Sequence, residues 1–135
     1  QQVVSVGLGA PAIILMGILG REVRSERVGL LAAIATAVYA FIWVNDGLMM
    51  AETAAIAMAT ATMRVGVRFW KDPSRGAAVV LGLVGGLAAL TRAELGLFLP
   101  VVAAAVLVRS PLPWREKVLR YACCGVAAMA ICMPW

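Results

Sequence analysis

Polar positions interrupt this chain at short, regular intervals, and between them lie six apolar segments of helical length. Their approximate limits are Val3 to Gly20, Val28 to Val44, Leu48 to Met63, Gly76 to Leu90, Leu95 to Val108 and Val118 to Trp135. Each falls slightly under the roughly 20 residues that cross a 30 Å hydrocarbon core. The run from Gly76 to Val108 requires a break, because as one helix it would be roughly 50 Å long. Thr91-Arg92-Ala93-Glu94 supplies that break and makes the run a hairpin. A charge pair in the middle of a single span would also be costly.

The polar links alternate in charge. Eleven of the twelve Lys and Arg residues lie in Arg21 to Arg27, Arg64 to Arg75 and Arg109 to Arg120. The intervening links, Asn45-Asp46-Gly47 and Thr91 to Glu94, are acidic or mixed. This is the positive-inside pattern of a polytopic membrane protein, with both ends on the outer side. The expected fold is all-α, a bundle of about six transmembrane helices forming one domain over residues 1–135. The chain is 63% hydrophobic and 14% charged, and its mean hydropathy is +0.94. A soluble domain would carry about a quarter charged residues. The net charge of +5 is spread over three loops without a basic or aromatic stripe, so orientation in a bilayer explains it and nucleic acid does not. There is no initiator Met and no signal peptide, and Gln1-Gln2 runs straight into an apolar segment. The expectation is a fragment of a longer membrane protein, truncated at both ends.

Most motifs have structural readings. Gly82 and Gly86 form a G-x-x-x-G, which in an apolar helix is a close-packing face for a neighbour. Ala51, Ala55 and Ala59 form a second small-residue seam. Gly7-Leu8-Gly9 lacks the third glycine and the preceding strand of a dinucleotide fingerprint. Cys123, Cys124 and Cys132 lack C-x-x-C spacing and the chain has no His, so no metal site is expected from these residues, and the cofactor stays open, with a divalent cation one candidate. Pro11 and Pro100 are expected to kink their helices. Trp43, Trp70, Trp114 and Trp135 fall near the segment ends, as an aromatic belt requires.

The outer links hold the residues of chemical interest: Asp46, Glu52, Arg92 and Glu94. Glu52 lies one turn into its segment, where it is either a helix-start acid favoured by the macrodipole or the lining of an outward-facing polar cavity. Arg92, the only outer base, either pairs with Glu94 or Glu52 or holds an anionic group such as phosphate.

The order Leu19-Gly20-Arg21-Glu22, Glu26-Arg27-Val28-Gly29-Leu30-Leu31, Trp43-Val44-Asn45-Asp46-Gly47, Met50-Ala51-Glu52-Thr53, Gly82-Leu83, Thr91-Arg92-Ala93-Glu94, Leu99-Pro100 and Met133-Pro134-Trp135 resembles the transmembrane core of bacterial GT-C glycosyltransferases. These are the relatives of protein O-mannosyltransferases and of the aminoarabinose lipid A transferase. The resemblance implies transfer of a sugar from a polyprenyl-phosphate donor to an acceptor glycan, lipid or protein on the outer face of a bacterial plasma membrane. It also implies a catalytic Asp in an outer loop upstream of Gln1, so no catalytic residue is expected within the fragment and the fragment is not expected to act alone. Glu52 matches the family's acid after Met-Ala, and Arg92 its Thr-Arg. Ala93 departs from the family's frequent Pro. With Asp46 and Glu94, these two are the expected substrate-binding residues. Two other classes stay open. Half of a multi-pass secondary transporter would also have six helices, but its acidic-Arg-x-Gly-Arg-Arg loop is only echoed by Gly20-Arg21-Glu22-Val23-Arg24. A structural membrane subunit would leave Glu52 and Arg92 without a purpose.

Overall fold

The computed structural model describes residues 2–39 and 52–133, and the side chains of residues 2–9, 52 and 53 lie outside that description. Six helices form among the described residues: α1 (Gln2–Val23), α2 (Glu26–Val38), α3 (Glu52–Lys71), α4 (Arg75–Thr91), α5 (Leu95–Arg109) and α6 (Trp114–Cys132). There is no strand among the described residues, so the all-α expectation holds. Also among them, no helix is long and apolar enough to cross a membrane. α2, α4 and α5 have 13, 17 and 15 residues, short of the roughly 20 needed.

The helix starts follow side-chain chemistry. Ser25 accepts the Val28 amide at 3.4 Å and starts α2, and Ser74 accepts the Ala77 amide at 3.2 Å and starts α4. Three boundaries differ from the hydropathy reading by four residues or more. α2 stops at Val38, ahead of an extended Tyr39, where the hydropathy run reaches Val44. α3 runs eight residues beyond Met63, because Val65 and Phe69 continue an apolar face while Arg64, Arg68 and Lys71 share the other. Phe69 is fully buried, which anchors these turns. The helix ends at Lys71, because Asp72 precedes Pro73 and the proline ring disfavours helical backbone there. α6 begins at Trp114, four residues before Val118, since its charged first turns are held by the i,i+4 pair Glu116–Arg120. α1 and α5 continue through Pro11 and Pro100, and Gly7-Leu8-Gly9 lies inside α1.

The chain divides into two compact units, Gln1–Arg64 and Val65–Trp135. In the first, α1 and α2 meet at a seam of small residues. A Cβ on Gly20 would lie 2.8 Å from the Gly29 Cα, and one on Gly17 would lie 3.2 Å from the Ala33 Cβ. Such close backbone approach needs residues without side-chain bulk. Thr60 and Thr62 on α3 are buried and return their hydroxyl protons to the Ile56 and Met58 carbonyls, both at 2.8 Å, so neither leaves an unmet donor. Ala55 of the anticipated seam is buried, and Ala51 lies outside the described residues. Glu22 of α1 and Arg64 of α3 form a half-buried ion pair at 3.1 Å.

In the second unit the core joins Phe69 from α3, Ala78 and Leu81 from α4, Leu99, Ala103, Val106 and Leu107 from α5, and Cys124 from α6. The glycines of α4 set the packing. A Cβ on Gly82 would collide with the Cys124 carbonyl oxygen and lie 2.8 Å from the Ala127 Cβ, and one on Gly86 would lie 2.9 Å from the Ala128 oxygen. The G-x-x-x-G is therefore the face that seats α6, as its spacing predicts. Gly85, on another face, admits Leu99 of α5. Contacts run Arg75 to Glu116, Gly82 to Cys124 and Gly86 to Ala128, so α4 and α6 lie parallel in matched register. α5 returns antiparallel through the Thr91 to Glu94 turn, which confirms the hairpin.

That arrangement sorts charge within the second unit. Arg75, Arg109, Arg115, Lys117 and Arg120 gather at one end, while Arg92 and Glu94 occupy the other. At the basic end Glu116 bridges Arg75 at 3.0 Å and Arg120 at 3.5 Å. Arg120 is only 14% exposed, and its Nε and Nη1 are buried without hydrogen-bond partners. Glu116→Ala would strip this guanidinium of its carboxylate, at a cost of about 1–3 kcal/mol. The expected result is a lower melting temperature of the detergent-solubilised protein, and Glu116→Gln should fall less. Equal melting of all three proteins would show that the bridge contributes nothing.

Candidate functional site

The anticipated site lies at the α4–α5 turn. Arg92 caps α4, its amide donating to the Ala88 carbonyl at 3.1 Å. Thr91 stops the helix on the same acceptor, its hydroxyl donating to the Ala88 oxygen at 2.7 Å. The turn then closes on itself. The amides of Leu95, Gly96 and Leu97 donate to the carbonyls of Arg92, Ala93 and Glu94 at 2.9, 3.0 and 3.2 Å. The first amides of α5 are thus already satisfied, and an anion arriving here must be met by side chains rather than by a helix N-terminus.

The side chain in position to do so is Arg92. Its Nε contacts Glu94 Oε2 at 3.3 Å, with the guanidinium half exposed and the carboxylate more so. This is a single-point contact on an exposed pair, of a kind that contributes about 0–1 kcal/mol. A phosphate presenting two oxygens to the planar guanidinium can compete with it. Glu94 adds an acceptor for hydroxyl groups beside the same base. The turn therefore combines a half-exposed guanidinium and an exposed carboxylate on a short, backbone-locked loop.

Of the four expected substrate-binding residues, the structure brings Arg92 and Glu94 together. Asp46 lies outside the described residues. Glu52 is the first residue of α3, and its side chain lies outside them too. No group of three or more acidic, Cys or His side chains able to hold a metal ion occurs among the described residues. The cysteines are free thiols. Cys124 is buried against Gly82 of α4, and Cys132 Sγ lies 3.7 Å from the Gly86 oxygen, as small residues in a helix interface. Of the tryptophans, Trp70 and Trp114 are exposed, Arg109 lies 5.4 Å over the Trp70 ring, and Trp43 and Trp135 lie outside the described residues.

Two polar features went unread in the sequence. The Glu22–Arg64 pair joins residues 42 apart and leaves no local signal. The Arg75–Glu116–Arg120 cluster was half legible, because Glu116 and Arg120 have i,i+4 spacing.

The comparisons place this helical chain with glycosyltransferases of the mannosyltransferase type. The sequence model of the dolichyl-phosphate-mannose-protein mannosyltransferase family matches residues 2–135, and the chain belongs to that family. The GT-C resemblance read from the ordered motifs is borne out. The alternative of a transporter half finds no support beside this match. No curated protein and no solved structure matches the chain.

Proposed function

We propose that the chain is part of an integral-membrane glycosyltransferase that moves a sugar from a polyprenyl-phosphate carrier to an acceptor on the outer face of a bacterial plasma membrane. The observation that carries this reading is the charge sorting in the second unit. Five bases lie at one end of α4, α5 and α6, and the Arg92–Glu94 turn lies at the other. A bilayer with its basic loops on the inside would put that turn on the outer surface, level with a lipid phosphate. The family's name supports a lipid-phosphate mannose donor. The helix surfaces support bilayer burial, since Leu97, Val101, Val108 and Val126 are all exposed by 65% or more. Short helices fit a membrane when they pack against protein or thin the bilayer around them.

In this reading Arg92 binds the carrier phosphate and stabilises the charge that grows on it as the sugar departs. Glu52, Asp46 and Glu94 accept hydrogen bonds from the sugar hydroxyls or orient the arginine. Cysteine labelling in intact cells tests the orientation. In a background with Cys123, Cys124 and Cys132 replaced by Ala, Gly47→Cys should react with a membrane-impermeant maleimide and Pro73→Cys should not. The reverse pattern would put Arg92 on the inside and end the proposal.

A further inference from the structure

At the end of the second unit remote from Arg92, an open groove of about 450 Å³ runs between α5 and α6. Its walls include Leu107 and Val108 from α5 and Trp114, Lys117, Val118 and Tyr121 from α6. The size is within the roughly 300–1,000 Å³ of ordinary ligand clefts. The lining is apolar except for the Lys117 ammonium and the polar tips of the two aromatic rings. Trp114 and Val108 are among the most exposed large apolar side chains described, at 77% and 75%.

The charge at its rim is uncompensated. Lys117 Nζ donates to the Val108 carbonyl at 3.3 Å, which uses one of its three protons. Arg115 and Lys117 have no carboxylate partner within the described residues, since the adjacent acid, Glu116, is held by Arg75 and Arg120. Arg109, which follows Val108, lies over the Trp70 ring and adds a third positive charge. An apolar slot with a cationic mouth and a Trp beside it matches an amphiphile with an anionic head and a hydrocarbon tail.

We propose that this groove seats an acyl chain of an anionic glycerophospholipid, with the headgroup phosphate against Lys117 and Arg115. The proposal rests on the membrane reading above and concerns the bilayer face opposite the sugar-transfer site. Charge decides the occupant: a zwitterionic lipid would leave the rim positive, and a protein segment would have to bring its own acids. The bound lipid would brace α5 against α6, and α5 starts from the Arg92 turn at its far end.

The test uses the full-length protein in phosphatidylcholine vesicles containing a trace of a diazirine-acyl probe, either phosphatidylglycerol or phosphatidylcholine. After irradiation, mass spectrometry maps the labelled peptides, and flotation of the vesicles reports membrane association separately. The glycerol lipid should label residues 107–108 and 118–121 more strongly than the choline lipid, on the order of five-fold per basic residue in reach. The preference should fall in the Lys117→Gln, Arg115→Gln double variant, and in the unaltered protein at high salt. Equal labelling by both probes, or no labelling of a protein that floats with the vesicles, would overturn the lipid site while leaving the membrane reading intact. Protein that does not float would overturn both.

Discussion

Arg92→Ala should lower sugar transfer by roughly 30- to 1,000-fold in kcat/KM, equivalent to about 2–4 kcal/mol of transition-state stabilisation. The loss would come from the role proposed for this arginine. A lipid phosphate leaving group gains charge as the sugar departs, and a guanidinium beside it stabilises that charge more than it stabilises the intact donor. Arg92→Lys keeps a positive charge but loses the planar fork, so it should retain part of the activity and less than the unaltered protein. Glu94 helps to separate this role from a structural one. Its contact with Arg92 is exposed and single-pointed at 3.3 Å, so Glu94→Gln should leave the melting temperature nearly unchanged. Full turnover and unchanged donor affinity in Arg92→Ala would make Arg92 a helix-end residue and nothing more.

The second large effect is structural. Gly82→Leu should unfold or mispack the second unit, because even a Cβ at this position meets the Cys124 carbonyl oxygen of α6. Backbone cannot retreat as a flexible side chain can, so the cost should reach or exceed the upper end of the about 1–3 kcal/mol typical of overpacking. Gly125→Ala is the control. Nothing lies within 4 Å of its added Cβ, and alanine favours helix by about 1 kcal/mol. Helix content followed through thermal unfolding in detergent should show a loss for Gly82→Leu and none for Gly125→Ala. Equal melting of the two variants would mean that α4 and α6 do not pack as described.

What could be read from the sequence was what is local. Thr91 to Glu94 announced a turn because a charged pair cannot sit inside an apolar helix, and Gly82 with Gly86 announced a helix contact by spacing alone. The length of α3 was missed because hydropathy counts Arg64, Arg68 and Lys71 as loop. Their periodicity with Val65 and Phe69 shows that they are the polar face of a continuing helix. The pairings of Glu22 with Arg64 and Arg75 with Glu116 join residues 42 and 41 apart, which no local pattern encodes. The seam at Gly17, Gly20 and Gly29 was present as spacing but was not recognised, since only its partner helix gives it meaning. At the candidate site the same division holds. Arg92 and Glu94 are neighbours in one turn and were read together, whereas a relation of Arg92 to Glu52 or Asp46 depends on long-range packing and belongs to the proposed function.

In the proposed function this family member uses an outward-facing arginine to draw sugar from a lipid phosphate. The most direct measurement supplies the full-length protein, reconstituted in vesicles, with a panel of radiolabelled polyprenyl-phosphate sugars that includes the mannosyl form, together with candidate acceptors. Label should pass to the acceptor, polyprenyl phosphate should be released in equal amount, and both should be lost in Arg92→Ala. Intact donor across the whole panel, from folded and membrane-inserted protein, would contradict the proposed function.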